Sequence, residues 1–165
     1  MTTTDQIKLL QALVEPALFR PGSLRINSTH LGPNQTELQI QVHGEDMPKI
    51  IGKAGLNIMA LKVLMREAGA ANNQIIQIRV EEPAPVPEHT GTPWTMERVK
   101  DAICGLMVAC RQPAEVEILP HVPRVHMVAI TPPPTEQIHI ALERWLRVMG
   151  SPGDTQLILD AADPA

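Results

Sequence analysis

Glu45-Asp46-Met47-Pro48-Lys49-Ile50-Ile51-Gly52-Lys53-Ala54-Gly55-Leu56-Asn57-Ile58-Met59-Ala60-Leu61-Lys62-Val63-Leu64-Met65-Arg66-Glu67-Ala68-Gly69 is the stretch whose reading decides the fold. The carboxylates of Glu45 and Asp46 suit a helix N-terminus, so a short helix is expected from there to Ile51, where Gly52-Lys53-Ala54-Gly55 breaks it. A longer helix follows at once. It carries Ile58, Leu61, Leu64 or Met65, and Ala68 on one stripe, with Gly69 placed to cap it. Two helices meeting at a four-residue Gly-x-x-Gly turn present main-chain N–H groups with no glycine side chain in the way. A sugar-phosphate backbone can approach such a turn closely. Lys53 would offer its ammonium to phosphate, and the N-terminus of the next helix adds a favourable dipole. Ile51, Ile58 and Leu61 set aliphatic side chains where bases would lie. Lys49 and Lys62 extend a phosphate track, and Arg66 shares the face of Lys62 at i, i+4 spacing.

Working outward, Ile7, Leu10, Val14 and Leu18 recur at helical spacing, and Pro16 ends that helix near Glu15. Strands are expected at Ser23 to Ser28 and Glu37 to Val42, joined by a turn at Gly32-Pro33-Asn34. The alternation of Leu38, Ile40 and Val42 makes them a hairpin with one buried face. A closing strand runs from Ile75 to Glu82. The segment 83–93, with four prolines and one glycine, reads as a semi-rigid linker.

The remainder, 94–165, repeats the order in reduced form. A helix is expected from about Trp94 to Arg111, with Thr92-Pro93 as cap and first turn, then strands at Ala114 to Leu119 and Val125 to Ile130. A helix from Thr135 to Met149 ends at Gly150 as the earlier long helix ends at Gly69, and Gln156 to Ala161 closes the half. Thr131-Pro132-Pro133-Pro134 stands where the first half has its short helix and glycine turn. The expectation is an α+β fold in two related halves, 1–82 and 94–165, joined by 83–93.

The order Ile50-Ile51-Gly52-Lys53-Ala54-Gly55-x-x-Ile58-x-x-Leu61 resembles the core signature of K-homology (KH) RNA-binding domains, whose Gly-x-x-Gly loop clamps about four nucleotides of a single strand. The helix and hairpin before it and the strand after it look like the type II arrangement. With Leu13-Val14-Glu15-Pro16 and the run from Glu45 to Gly55, residues 5 to 82 most resemble the small bacterial KhpA family of single-KH RNA chaperones or regulators. That family usually has a glycine before the lysine of the short helix and often a basic residue after the loop. This chain has Pro48 and Leu56-Asn57 there. The resemblance implies single-stranded RNA bound through Lys49, Ile51, Gly52, Lys53, Ala54, Gly55, Ile58, Leu61 and Lys62. The second half then reads as a degenerate KH-like domain without the loop, kept for packing or partner binding. The competing reading is an assembly module that pairs with itself or with another KH-type protein and has weak or lost RNA binding.

Composition narrows the mode of binding. Of 165 residues only Phe19, Trp94 and Trp145 are aromatic, too few for stacking platforms, and the net charge of -4 does not suit a coat on DNA. Residues 1–82 hold eight basic and eight acidic side chains, whereas 83–165 hold six and ten, 6 − 10 = -4, so the whole deficit lies in the half without a glycine turn. No signal-peptide pattern and no apolar run of the roughly 20 residues needed to span a bilayer occur, which points to the cytoplasm. Cys104 and Cys110 lie roughly 9 Å apart along one helix, unsuited to a disulfide, and their spacing with His121 and His126 fits no zinc site. The turn lacks the Gly-Lys-Ser/Thr ending of a nucleotide-binding loop, and no catalytic serine or histidine motif is present. A non-enzymatic protein without cofactor or metal is expected.

Overall fold

The computed structural model of the chain describes residues 1–81, 95–122, 125–149 and 156–159; the expected linker at 83–93, Trp94 and Gly150 lie outside them. Helix α1 (Thr3–Val14) begins at a capping box in which Thr2 and Asp5 exchange bonds. Bonds donated by the Thr2 hydroxyl and the Thr2 N–H hold the Asp5 carboxyl below its ordinary pKa. Pro16 lies in a 3₁₀ turn, Glu15–Ala17, that closes the helix.

Strands β1 (Arg25–Gly32) and β2 (Gln35–Gln41) form the expected hairpin around Pro33 and Asn34. Its buried face belongs to β2, which alternates Thr36, Leu38 and Ile40 inward, while β1 is exposed along most of its length. Helix α2 (Met47–Ile51) leads through the glycine turn into α3 (Leu56–Ala70), and β3 (Ile75–Val80) returns parallel to β2, giving sheet order β1-β2-β3. Gly69 lies inside α3 instead of capping it. The helix runs to Ala70, and a Cβ at Gly69 would stand 2.7 Å from the Gln74 carbonyl, so close packing on the returning strand requires glycine.

The second half comprises α4 (Met96–Ala109), β4 (Glu115–Val122), β5 (Val125–Thr131), α5 (Glu136–Met149) and β6 (Gln156–Leu159). The cap of α4 is Thr95, whose hydroxyl accepts from the Arg98 N–H, and not Thr92-Pro93. The two sheets share one design. Arg25 opposes Gln41 and His30 opposes Thr36 in the first hairpin, and Glu115 opposes Thr131 and Pro120 opposes His126 in the second (115 − 25 = 90). Both hairpins shift register at the matching place, His30/Gly32 and Pro120/Val122. The parallel strand keeps the correspondence at a smaller offset, Gln35 opposite Ile75 and Val125 opposite Gln156 (156 − 75 = 81). The difference, 90 − 81 = 9 positions, arises between β5 and β6, and residues 132–135 stand before α5 where the first half has the short helix and glycine turn.

Like elements of the two halves pack on each other, α1 on α4 and α3 on α5. Both pairs are antiparallel. Glu15 at the end of α1 pairs with Arg98 at the start of α4, while Leu9 meets Gly105 further on. Arg66 of α3 reaches Gln137 at the start of α5, and Trp145 near its end shares a small cavity with Asn57 and Leu61. The apolar side chains of both halves thus merge into one core, with Leu10, Leu13, Leu64, Leu106, Ile138 and Leu142 fully buried. The Trp145 indole N–H donates to the Leu13 carbonyl at 2.6 Å, and the Asn72 amide donates to Ala109 at the end of α4 at 2.8 Å. Cys104 and Cys110 are free thiols, and burial, with Glu67 nearby, pushes the Cys110 thiol up to about 12. Among the described residues no helix is long and apolar enough to cross a membrane.

Because Trp145 fills the seam between the halves and satisfies a buried carbonyl, Trp145→Ala is expected to lower stability by about 3–5 kcal/mol. Urea unfolding followed by far-UV circular dichroism should show one transition shifted as a whole; two separate transitions would contradict a shared core.

Candidate nucleic-acid interface

The backbone of the glycine turn is set by two residues that no side chain would suit equally well. Gly52 has φ +72° and ψ 173°, a region open essentially to glycine, and Gly55 has φ +75° in the left-handed well. Their environments differ. A Cβ on Gly52 would overlap the carboxamide of Asn57, whereas one on Gly55 would meet only Ile58 at 3.9 Å. Asn57 occupies that space because its amide donates to the Lys49 carbonyl at 2.7 Å, binding the last turn of α2 to the first turn of α3. Lys53 and Ala54 are thereby turned outward and exposed, with Ala54 itself at φ +53°.

Asp46 precedes α2 but does not cap it with its side chain. Its fully buried carboxylate accepts from the Phe19 N–H at 2.7 Å and the Arg20 N–H at 3.0 Å, which fastens the chain after α1 onto the base of α2. Phe19, so placed, lays its ring over Lys49, with Nζ 3.1 Å from the ring centroid. Among the described residues the Lys49 ammonium has no hydrogen-bond partner, and desolvation lowers its pKa below the ordinary 10.5. Lys49 is therefore a covered cation and not part of an exposed phosphate track. Leu61 is likewise buried in the core, so it supports α3 from beneath and does not line an open groove.

Lys62 and Arg66 are exposed on α3 and, with Val63, form one wall of a cleft of about 290 Å³ whose other wall is the edge strand, Ile76 to Ile78. Ile51 is 39% exposed, Ile58 half-buried, and Leu56 and Met59 are open beside the turn. The structure thus joins Ile51, Gly52, Lys53, Ala54, Gly55, Ile58 and Lys62 into one surface, with Arg66 at its far end, and leaves Lys49 and Leu61 beneath it. Sequence spacing missed Leu56, Met59 and Val63, which share the exposed side of α3 with Lys62. Among the described residues no group of three His, Cys, Asp or Glu side chains could hold a metal ion.

A Gly-x-x-Gly turn joining two helices above a three-stranded sheet is the layout by which KH domains engage a single strand. Residues 7–81 match the family model of the KhpA/KhpB KH domain, so the first half is similar to that domain. No curated protein and no solved structure matches the chain.

Gly55→Ala is expected to cost about 1–2 kcal/mol, the left-handed strain alone, and Gly52→Ala more. The excess should shrink when Asn57→Ala is added, as a double-mutant cycle from urea midpoints will show. Lys49 sheds its proton more readily folded than unfolded, so stability should rise as pH climbs from its lowered value towards 10.5. Lys49→Met should flatten that alkaline rise in thermal melts.

Proposed function

We propose that the protein binds single-stranded RNA through the GKAG turn of a type II KH domain spanning residues 1–82, as an RNA chaperone or post-transcriptional regulator in the cytoplasm and without enzymatic activity. The observation that carries the proposal is the outward presentation of Lys53 and Ala54 on a turn whose backbone is held open by Gly52 and Gly55. In this reading the main-chain N–H groups and Lys53 meet the phosphates, Ile51 and Ile58 bear on the bases, and Lys62 and Arg66 carry the strand along α3. Aliphatic contact and main-chain hydrogen bonds replace stacking, in keeping with a chain that has three aromatic residues. The second half, 94–165, is read as a degenerate copy of the first that has given up its own clamp and supports the first by packing. Its match in strand register and its four-residue replacement of the turn favour this reading.

The test is a fluorescence-anisotropy titration with a labelled single-stranded RNA at low salt. Replacing Lys53 and Ala54 together by aspartate adds repulsion at an exposed turn without touching the core, and affinity should fall at least about tenfold. Lys49→Met should change affinity by no more than about twofold, because that ammonium is covered. Unchanged affinity in the Lys53→Asp/Ala54→Asp protein would refute the clamp.

A further inference from the structure

We propose that the second half extends the RNA surface through α5, with Arg144 and Arg147 meeting phosphates of a strand that has passed the GKAG turn. This inference rests on the RNA-binding reading above. The residues Gln137, Ile140, Arg144 and Arg147 fall at helical spacing on one side of α5, and all four are exposed. The other side, Ile138, Ala141, Leu142, Trp145 and Leu146, is buried. On α3 the exposed stripe is Met59, Lys62 and Arg66.

Two contacts fix how the stripes lie together. Arg66 Nη2 donates to the Gln137 side-chain oxygen at 3.3 Å, which joins the far end of the α3 stripe to the start of the α5 stripe. Trp145 shares a cavity with Asn57 and Leu61 at the opposite end of α3. The antiparallel helices therefore carry the last turns of α5, with Arg144 and Arg147 on its exposed side, back towards the first turns of α3. The sequence has no basic residue directly after the turn, where Leu56 and Asn57 stand, and Asn57 is committed to the Lys49 carbonyl. The second half supplies the cations that this part of the first lacks.

The chemistry fits an anionic strand. The Arg147 side chain is 73% exposed, and its one partner among the described residues is Glu143 on the same helix, an exposed i, i+4 pair of little energetic weight that phosphate can displace. The second half, 94–165, holds only six basic residues against nine acidic ones, yet two of the six occupy this stripe. Its overall acidity repels a strand from its other surfaces and confines contact to the seam beside α3.

The experiment compares wild type with Arg144→Gln/Arg147→Gln against single-stranded RNAs of four and twelve nucleotides over a range of salt, using the full chain. For the twelve-nucleotide RNA the variant should bind about three- to tenfold more weakly, with a log–log salt slope shallower by about 1 to 1.5. Binding of the four-nucleotide RNA, held by the turn alone, should be unchanged. Equal losses for both lengths, or no loss for the longer RNA, would overturn the inference. The reading it rests on fails separately, when wild type binds neither RNA or when Lys53→Asp/Ala54→Asp binds both as wild type does.

Discussion

The carboxamide of Asn57, seated in the space that only a glycine at position 52 leaves open, is the constraint on which the shape of the glycine turn depends. By donating to the Lys49 carbonyl it satisfies a helix-end acceptor of α2 from the first turn of α3, so the two helices are fixed across four residues. Lys53 and Ala54 then have nowhere to go but outward. The turn is shaped by contacts within the chain, so a bound strand would meet a surface whose order does not depend on it. Asp46 performs the companion task from the other side of α2, gripping the Phe19 and Arg20 N–H groups so that the base of the helix cannot swing.

Around this local device the halves pair like with like. The contacts α1 with α4 and α3 with α5, both antiparallel, are those of a self-complementary interface between two similar units, built here within one chain. The matched register of the hairpins and the nine-position difference between β5 and β6 show where the halves part: the second keeps helices and sheet and has no short helix or glycine turn. The second half carries the acidic balance, and its α5 serves as buttress to α3. The charge arithmetic has the same division, with all of the net -4 in residues 83–165.

The order of elements and the glycine turn were legible in the sequence because both rest on local rules, helical and strand periodicity and the backbone freedom of glycine. What periodicity did not reveal depends on residues far apart in the chain. Lys49 reads as a surface cation until Phe19, thirty positions earlier (49 − 19 = 30), is laid across it by Asp46. Leu61 lies on the apolar stripe of α3 and goes to the core with that stripe, although the KH signature implies a groove position for it. Asp46 looks like a cap from its place before a helix, yet two N–H groups from a distant loop compete for its oxygens and win. Gly69 has the place of a helix stop in the sequence, and only the return of β3 shows that it is there for close approach. The partnership of α3 with α5 has no local signal at all beyond the broad apolar face of each helix.

The central claim, that the GKAG turn is where single-stranded RNA is held, is tested most directly by residue-resolved amide shifts in a titration of the isotopically labelled protein with a short single-stranded RNA. The largest changes are expected at Ile51 to Ile58, lesser ones along Lys62 to Arg66, and none on the outer face of the second sheet. Shifts confined to the second half, or none around Gly52 to Gly55 at saturating RNA, would contradict it.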